Sequence, residues 1–170
     1  MSQAYFAVLA RHSAWANRRL YGACETLSAV EYLRERPSSH GSLHATLNYV
    51  LVTDRAWIAR LEGRTPPPFE KNQILYADLL ALKIARLAED EHLRNLVDGL
   101  SEAAMASSIH YMDRRGNRFV ATTRLVLADL FDFQSRCRGE TLALLAQAGT
   151  RAPSLDLLVF LREAGATASG

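Results

Sequence analysis

His40 and His44 stand four residues apart in HGSLH, the spacing at which two imidazoles on one helix face can share a metal ion. His40 falls where that helix would start, so solvation accounts for it equally well, and no third ligand is indicated. Glu89 and His92 make a single Glu-x-x-His. A di-iron bundle needs that motif twice with two further glutamates, so an exposed polar helix face is the expectation. Asp129 and Glu140 share a stripe with Phe133 and Cys137 in DLFDFQSRCRGE. A carboxylate buried without a partner is costly, so arginines such as Arg55 or Arg60 are expected to pair with them, the alternative being a wet cavity. Asp54 in DRAWIAR poses the same question, and a buried ion pair that sets helix register is the plainer answer. Cys137 reacts only if its pKa is lowered, and Arg136 and Arg138 flank it in sequence but lie about 100° away around the helix. The chain has no Gly-rich phosphate loop, GxSxG elbow or HExxH.

The elements that must position these groups read as helices. Phe6, Leu9, Ser13, Ala16, Leu20, Ala23 and Leu27 alternate by three and four, which predicts a helix from about 3 to 27. After Pro37, Ser38 and Ser39, a second seam runs through Leu43, Leu47, Val50, Asp54, Trp57 and Leu61, ended by Gly63 and the prolines at 66–68. Helical spacing of leucines from Tyr76 to Val97 predicts a third long helix, stopped at Gly99. SIHYMD and RFVATT, either side of RRGN, read as a β-hairpin. The fourth long helix spans about 123 to 147 with Val126, Asp129, Phe133, Cys137, Glu140 and Leu144 as its inner stripe, and Pro153 opens a short closing helix in LDLLVFLRE. The long connection between the third and fourth helices means that the bundle need not run up-down-up-down.

At 170 residues, 49% hydrophobic and 22% charged, the chain has the size and composition of one globular domain. The expectation is a single helical bundle over 1–165 with a disordered tail at 166–170. No run approaches the roughly 18 apolar residues of a membrane span, and the N-terminal MSQAYFAVLARHSAW does not read as a secretory signal, so a cytoplasmic protein is expected. Cys24 and Cys137 form no CxxC pair and read as two free thiols. Eighteen of the twenty basic residues are Arg, but they are dispersed among eighteen acids for a net charge of +2, which argues against a nucleic-acid partner.

Taken together, WANRRLY at 15–21, GSLHATLN at 41–48, DRAWIARLEG at 54–63, RG at 138–139, LLAQAG at 144–149 and LDLLVFLRE at 155–163 resemble the DinB/YfiT-like family, in the family's order and over nearly the whole chain. The resemblance implies an all-α protein, a four-helix bundle with a long crossover, commonly a homodimer. In typical members it also implies a divalent metal held by three histidines in a central pocket; relatives with that site include thiol-dependent transferases and isomerases. This chain departs from the pattern at those ligands. Tyr49 follows TLN where the family has a histidine, and DLFDFQSRCRGE stands where the family usually reads HxFNHQTHHRGQ, so Phe133 and Cys137 occupy the other two ligand positions. Asp129 and Arg136 replace two neighbouring histidines, and Glu140 replaces the frequent Gln. Phenylalanine cannot ligate a metal, and a lone Cys with a Tyr is a poor set for Zn, Ni or Fe, so no metal cofactor is expected.

The candidate site is therefore a pocket at Tyr49, Phe133 and Cys137 with Asp129, Arg136 and Glu140 as neighbours, and no catalytic residue is assigned. Small residues around Tyr49, namely Ala45, Thr46, Thr53 and Ala56, leave room for a pocket, whereas Tyr49 and Phe133 are bulky enough to fill it. The favoured expectation is a metal-free small-molecule binding or interaction module that dimerises through helix faces. A second is a metal-dependent enzyme of thiol transferase or hydrolase type, rebuilt on Asp129, Cys137 and Glu140, with His44 or Asp132 as further donors, or using Cys137 as a reactive thiol. A third is nucleic-acid binding through RRGNR at 114–118, a cluster more in keeping with a solvated turn.

Overall fold

Short polar side chains start the helices. Ser2, Ser28, Ser42, Asp78, Ser101 and Thr122 each accept a hydrogen bond from the backbone N–H three residues on, satisfying a donor that the first helical turn leaves free. In the computed structural model, which describes residues 1–68, 70, 73–113 and 115–168, these caps open α1 (Gln3–Cys24), α2 (Ala29–Leu33), α3 (Leu43–Leu61), α4 (Leu79–Asp98), α5 (Glu102–Ala106) and α6 (Thr123–Gln147). A hairpin of β1 (Ser108–Met112) and β2 (Arg118–Thr122) precedes α6, and α7 (Leu157–Ala168) closes the chain. The protein is thus all-α apart from one short hairpin.

The observed boundaries differ from the periodicity where side chains compete for backbone groups. α1 stops at Cys24 instead of 27, because the Thr26 hydroxyl donates to the Ala23 carbonyl and Ser28 is already the cap of α2. α4 starts at Leu79 instead of Tyr76, because Leu75 and Tyr76 donate their N–H groups to the buried Asn48 side chain of α3. α7 is assigned as far as Ala168, and Ser169 and Gly170 lie outside the described residues. In the hairpin Tyr111 faces Phe119 and Met112 faces Arg118. Its turn is organised by Asp113, which accepts from the N–H groups of Arg115 and Asn117, and by Gly116 at φ 83, a conformation that favours glycine. Arg114 lies outside the described residues.

α1 and α3 each pack against both α4 and α6 and sit diagonally across the bundle. The pairs Asp54–Arg86, Arg55–Glu89 and Glu62–His92 advance together along α3 and α4, so these two helices are parallel. Contacts of Gln3 with Val97 and Asn17 with Asp90 make α1 antiparallel to α4, and those of Phe6 with Phe131 and Ser13 with Arg138 make it parallel to α6. The order is up-down-down-up, and the long crossover is the proline-bearing segment between α3 and α4. The hairpin connection, although long, joins two antiparallel helices. No helix among the described residues is long and apolar enough to cross a membrane.

The interior has two apolar ends. Leu20, Tyr21, Leu43, Leu47, Leu82 and Leu144 belong to one, and Phe6, Ile58, Leu93, Met105, Leu127 and Phe131 to the other. Burial of each such side chain stabilises the fold by roughly 1.5–3 kcal/mol before entropy is counted. Between the two ends lies a polar layer.

Candidate functional site

Four helices contribute to that layer. Asp54 on α3 and Asp90 on α4 share the guanidinium of Arg86 on α4, at 2.6 Å to Asp54 Oδ2 and 3.0 Å to Asp90 Oδ1. Gln134 of α6 also donates to Asp54 Oδ2 at 2.9 Å, and Asn17 of α1 donates to Asp90 Oδ1 at 2.8 Å. Ser13 of α1 donates to Gln134 Oε1 at 2.7 Å and accepts from Arg138 of α6 at 3.0 Å. Asp54 is fully buried and Arg86 is 2% exposed. Two carboxylates and two guanidiniums balance in charge, which is the condition for keeping ions in a bundle interior.

The electrostatics follow from that enclosure. Burial raises the Asp54 carboxyl to about 6, against the opposing pull of Arg86 and with repulsion from Asp90 adding to the rise. Burial raises Asp90 as well, again opposed by Arg86. The Arg86 cation is disfavoured by burial, but Asp90 and Asp54 outweigh that and hold it above its ordinary value. A cavity of about 10 Å³ borders the layer, lined among others by Tyr21, Arg86, Gln134, Cys137 and Arg138. It lies at the lower limit for one water molecule, and it adjoins Tyr21 and Arg86, whose hydroxyl and Nε have no hydrogen-bond partner among the described residues.

Beside this layer stand Tyr49, Phe133 and Cys137, the residues that the resemblance leads one to expect at the family's ligand positions. The Tyr49 ring meets Phe133 edge to face at 5.8 Å between centroids, and His40 stacks on Tyr49 at 4.0 Å. Cys137 is buried, and burial pushes its thiol up to about 12, with Asp54 and Glu140 adding to the rise. These residues do not suit a metal: the Phe133 ring has no donor atom, and a phenol with a single thiol is a poor donor set. Among the described residues no group of three His, Cys, Asp or Glu side chains converges on a point where an ion could sit.

The neighbours expected around the pocket do not gather there. Asp129 is exposed, and Arg136 pairs with Asp132 on the solvent face. Glu140 is partly buried and accepts from the Ser39 N–H at 2.6 Å. The arginines expected to pair with Asp129 and Glu140 serve other groups: Arg55 binds Glu89 at 2.9 Å and also donates to the Tyr76 hydroxyl, and Arg60 lies over the Trp57 ring at 4.7 Å. The reason is rotation. The buried face of α6 keeps Val126, Cys137 and Leu144 of the expected stripe but extends through Leu127, Leu130, Gln134, Arg138, Thr141 and Leu145, a set centred about 100° around from that stripe at 100° per residue. Glu89 and His92, expected on an exposed face, instead link two helices, since Glu89 is buried against Arg55 and His92 Nε2 meets Glu62 at 2.6 Å. His44 is buried with Nδ1 at 3.1 Å from the Tyr32 hydroxyl, so it faces a different group from His40.

Sequence reasoning passed over Arg86, Asp90, Asn17 and Gln134. The signal existed in α4, where Arg86 and Asp90 lie on the same stripe as Leu82, Leu93 and Val97 at helical spacing, with all five buried. A cation and an anion four apart on an apolar stripe indicate a buried pair that seeks further partners on other helices.

Four long helices in up-down-down-up order, a hairpin before the last and a short closing helix define a crossover-type helical bundle. The chain belongs to the DinB family, whose model matches residues 1–168. A crystal structure of a DinB-like protein from Bacillus subtilis, YjoA, has the same fold, with a TM-score of 0.63 and 16% identity over 87% of this chain and 97% of that one. No curated protein matches the sequence.

Proposed function

We propose that this DinB-family protein acts without a metal, as a cytoplasmic, homodimeric module that binds a small molecule or a partner protein. The observation that carries the reading is the Tyr49–Phe133 ring contact, which puts two aromatic side chains where the family's ligands would converge. Nothing in the placement of Asp129, Cys137 and Glu140 favours the rebuilt metalloenzyme, because one is exposed, one buried and one tied to the Ser39 backbone. For the dimer, α4 offers an outward stripe of Leu80, Ile84 and Leu87, each exposed, at the spacing of a helix-packing seam.

The test is elemental analysis of untagged protein together with thermal melts in added Zn, Ni, Mn and chelator. The expected result is substoichiometric metal and no shift in melting temperature. Near-stoichiometric metal, or a rise that grows with metal concentration, overturns the reading, because a ligand that binds only the folded state must stabilise it.

A further inference from the structure

The β-hairpin has an edge that the fold leaves open. At its two ends Asp113 donates its N–H to the Asn117 carbonyl, and Thr123 donates to the Ser107 carbonyl. Antiparallel pairs alternate between hydrogen-bonded and non-hydrogen-bonded along the ladder. In the register Ile109↔Ala121 and Tyr111↔Phe119, the backbone groups of Ile109 and Tyr111 therefore face β2. Those of Ser108, His110 and Met112 point the other way, and among the described residues they have no hydrogen-bond partner. β1 is the strand on the α3 side of the hairpin, and β2 is the one that leads into α6. A groove of about 940 Å³ follows β1: all of Ser107–Asp113 line it, and its facing wall is the end of α3 with Gly63–Pro66 of the loop beyond.

The plain structural reading is a short edge strand left to water. Solvation accounts for the free backbone groups but not for a groove that follows the strand from end to end against a facing wall. We propose that this groove takes an extended peptide segment of a partner protein, which adds to the free edge of β1 as a third strand. The N–H and C=O groups of three alternate residues match an extended backbone, and side chains on the two faces of the strand select its sequence. On one face Ile109 and Tyr111 flank the added strand, with Trp57 edge to face on Tyr111 at 5.2 Å, which suits apolar β-branched residues at alternate positions. On the other face stand Ser108, His110 and Met112, all exposed, which suits polar residues. Arg64 is paired with Glu62, but Arg60 and Arg118 outnumber Asp113 among the charges lining the groove, so acidic residues at the ends of the segment complement it. The groove shares no lining residue with the Tyr49–Phe133 pocket, so metal found in the bundle would overturn the function proposed above and leave this site untouched.

The probe is a capped peptide, acetyl-Glu-Val-Thr-Val-Thr-Val-Glu-amide, and the measurement is amide hydrogen exchange of the full chain read by NMR. Saturating peptide is expected to slow exchange at Ser108, His110 and Met112 by about tenfold or more, and to leave Arg118 and Val120 on the far edge of β2 unchanged. His110→Pro removes an edge donor that the ladder with β2 does not use, and proline is tolerated on an edge strand, so peptide affinity falls by about tenfold or more while the hairpin persists. His110→Ala keeps the donor and stays within about twofold of the wild type. Melting temperatures accompany both variants, and the wild-type exchange pattern decides the question if His110→Pro does not fold. No saturation at millimolar peptide, equal affinity in the wild type and His110→Pro, or slowing at Arg118 and Val120 instead overturns the proposal. So does slowing at Ser108, His110 and Met112 that grows with protein concentration in the absence of peptide, since a second copy of the chain then takes the edge.

Discussion

Asp54→Asn gives the most direct test of the ionic layer, because it removes the titration while keeping the shape. In the fold the carboxyl holds its proton up to about 6, whereas in an unfolded chain it releases it near about 3.9. Between those values the folded state binds more protons than the unfolded one, so this group's contribution to stability is complete below the unfolded value and is lost as pH rises through the folded one. At about 1.4 kcal/mol per tenfold in acidity, the loss amounts to about 3 kcal/mol. Arg86, Asp90, Gln134 and the more distant Arg138 and Cys137 share the surroundings of Asp54, and Asp90 relaxes when Asp54 is neutralised, so about 3 kcal/mol is an upper bound. His12 and His44 work in the opposite sense, because burial lowers both and favours the fold as pH rises towards the ordinary histidine range. They cancel when wild type and variant are compared. Urea unfolding at a series of pH values from about 4 to about 7.5 then reads the difference in stability. The wild type's standing relative to Asp54→Asn should fall by up to about 3 kcal/mol across the window. A constant difference, or one that grows in the wild type's favour with pH, refutes the reasoning and means that Arg86 dominates burial and holds Asp54 ionised.

Arg86→Met leaves Asp54 and Asp90 buried without their cation and should cost about 3–5 kcal/mol in urea unfolding. The triple change Asp54→Leu, Arg86→Met, Asp90→Leu should recover most of that loss, whereas a cost below about 1 kcal/mol for Arg86→Met alone would show that water already screens the layer. Cys24 and Cys137, both raised to about 12 by burial, should resist iodoacetamide in the native protein near pH 7.5 and react only on unfolding. Rapid labelling of Cys137, followed by peptide mass mapping, would contradict that.

The long helices were legible because apolar residues recur at three and four over many turns, and the hairpin because β-forming runs flank a polar segment with Gly116. The two five-residue helices were not, since each holds too few residues to show a period. Ser28-x-x-Glu31 nevertheless carries the capping signature of α2. The start of α4 was misread for a long-range reason: only the folded chain brings Asn48 to the backbone of Leu75 and Tyr76. The inner face of α6 was read only in part: Val126, Cys137 and Leu144 are buried as expected, but Asp129 and Glu140 were taken inward with them. Gln134 and Arg138 hold the interior instead, and their burial is tolerable only because Ser13, Asp54 and the rest of the layer meet them.

The same layer bears on how this bundle holds together. A metal held by three histidines, as the resemblance implies for typical members, would tie α3 to α6 through one ion. Here α3 and α6 meet through Tyr49 on Phe133 and through Gln134 donating to Asp54, and Arg86 extends the second contact to α4. Ser13 and Asn17 then join α1 to the same network, so one connected set of hydrogen bonds and ion pairs spans all four long helices at the level where the two apolar ends meet. Such a layer favours one helix register over others, because a shift of a single turn would strand two carboxylates in an apolar end. Asp54, Arg86, Asp90 and Gln134 can therefore set the register of α3, α4 and α6 through their own ion pairs and hydrogen bonds.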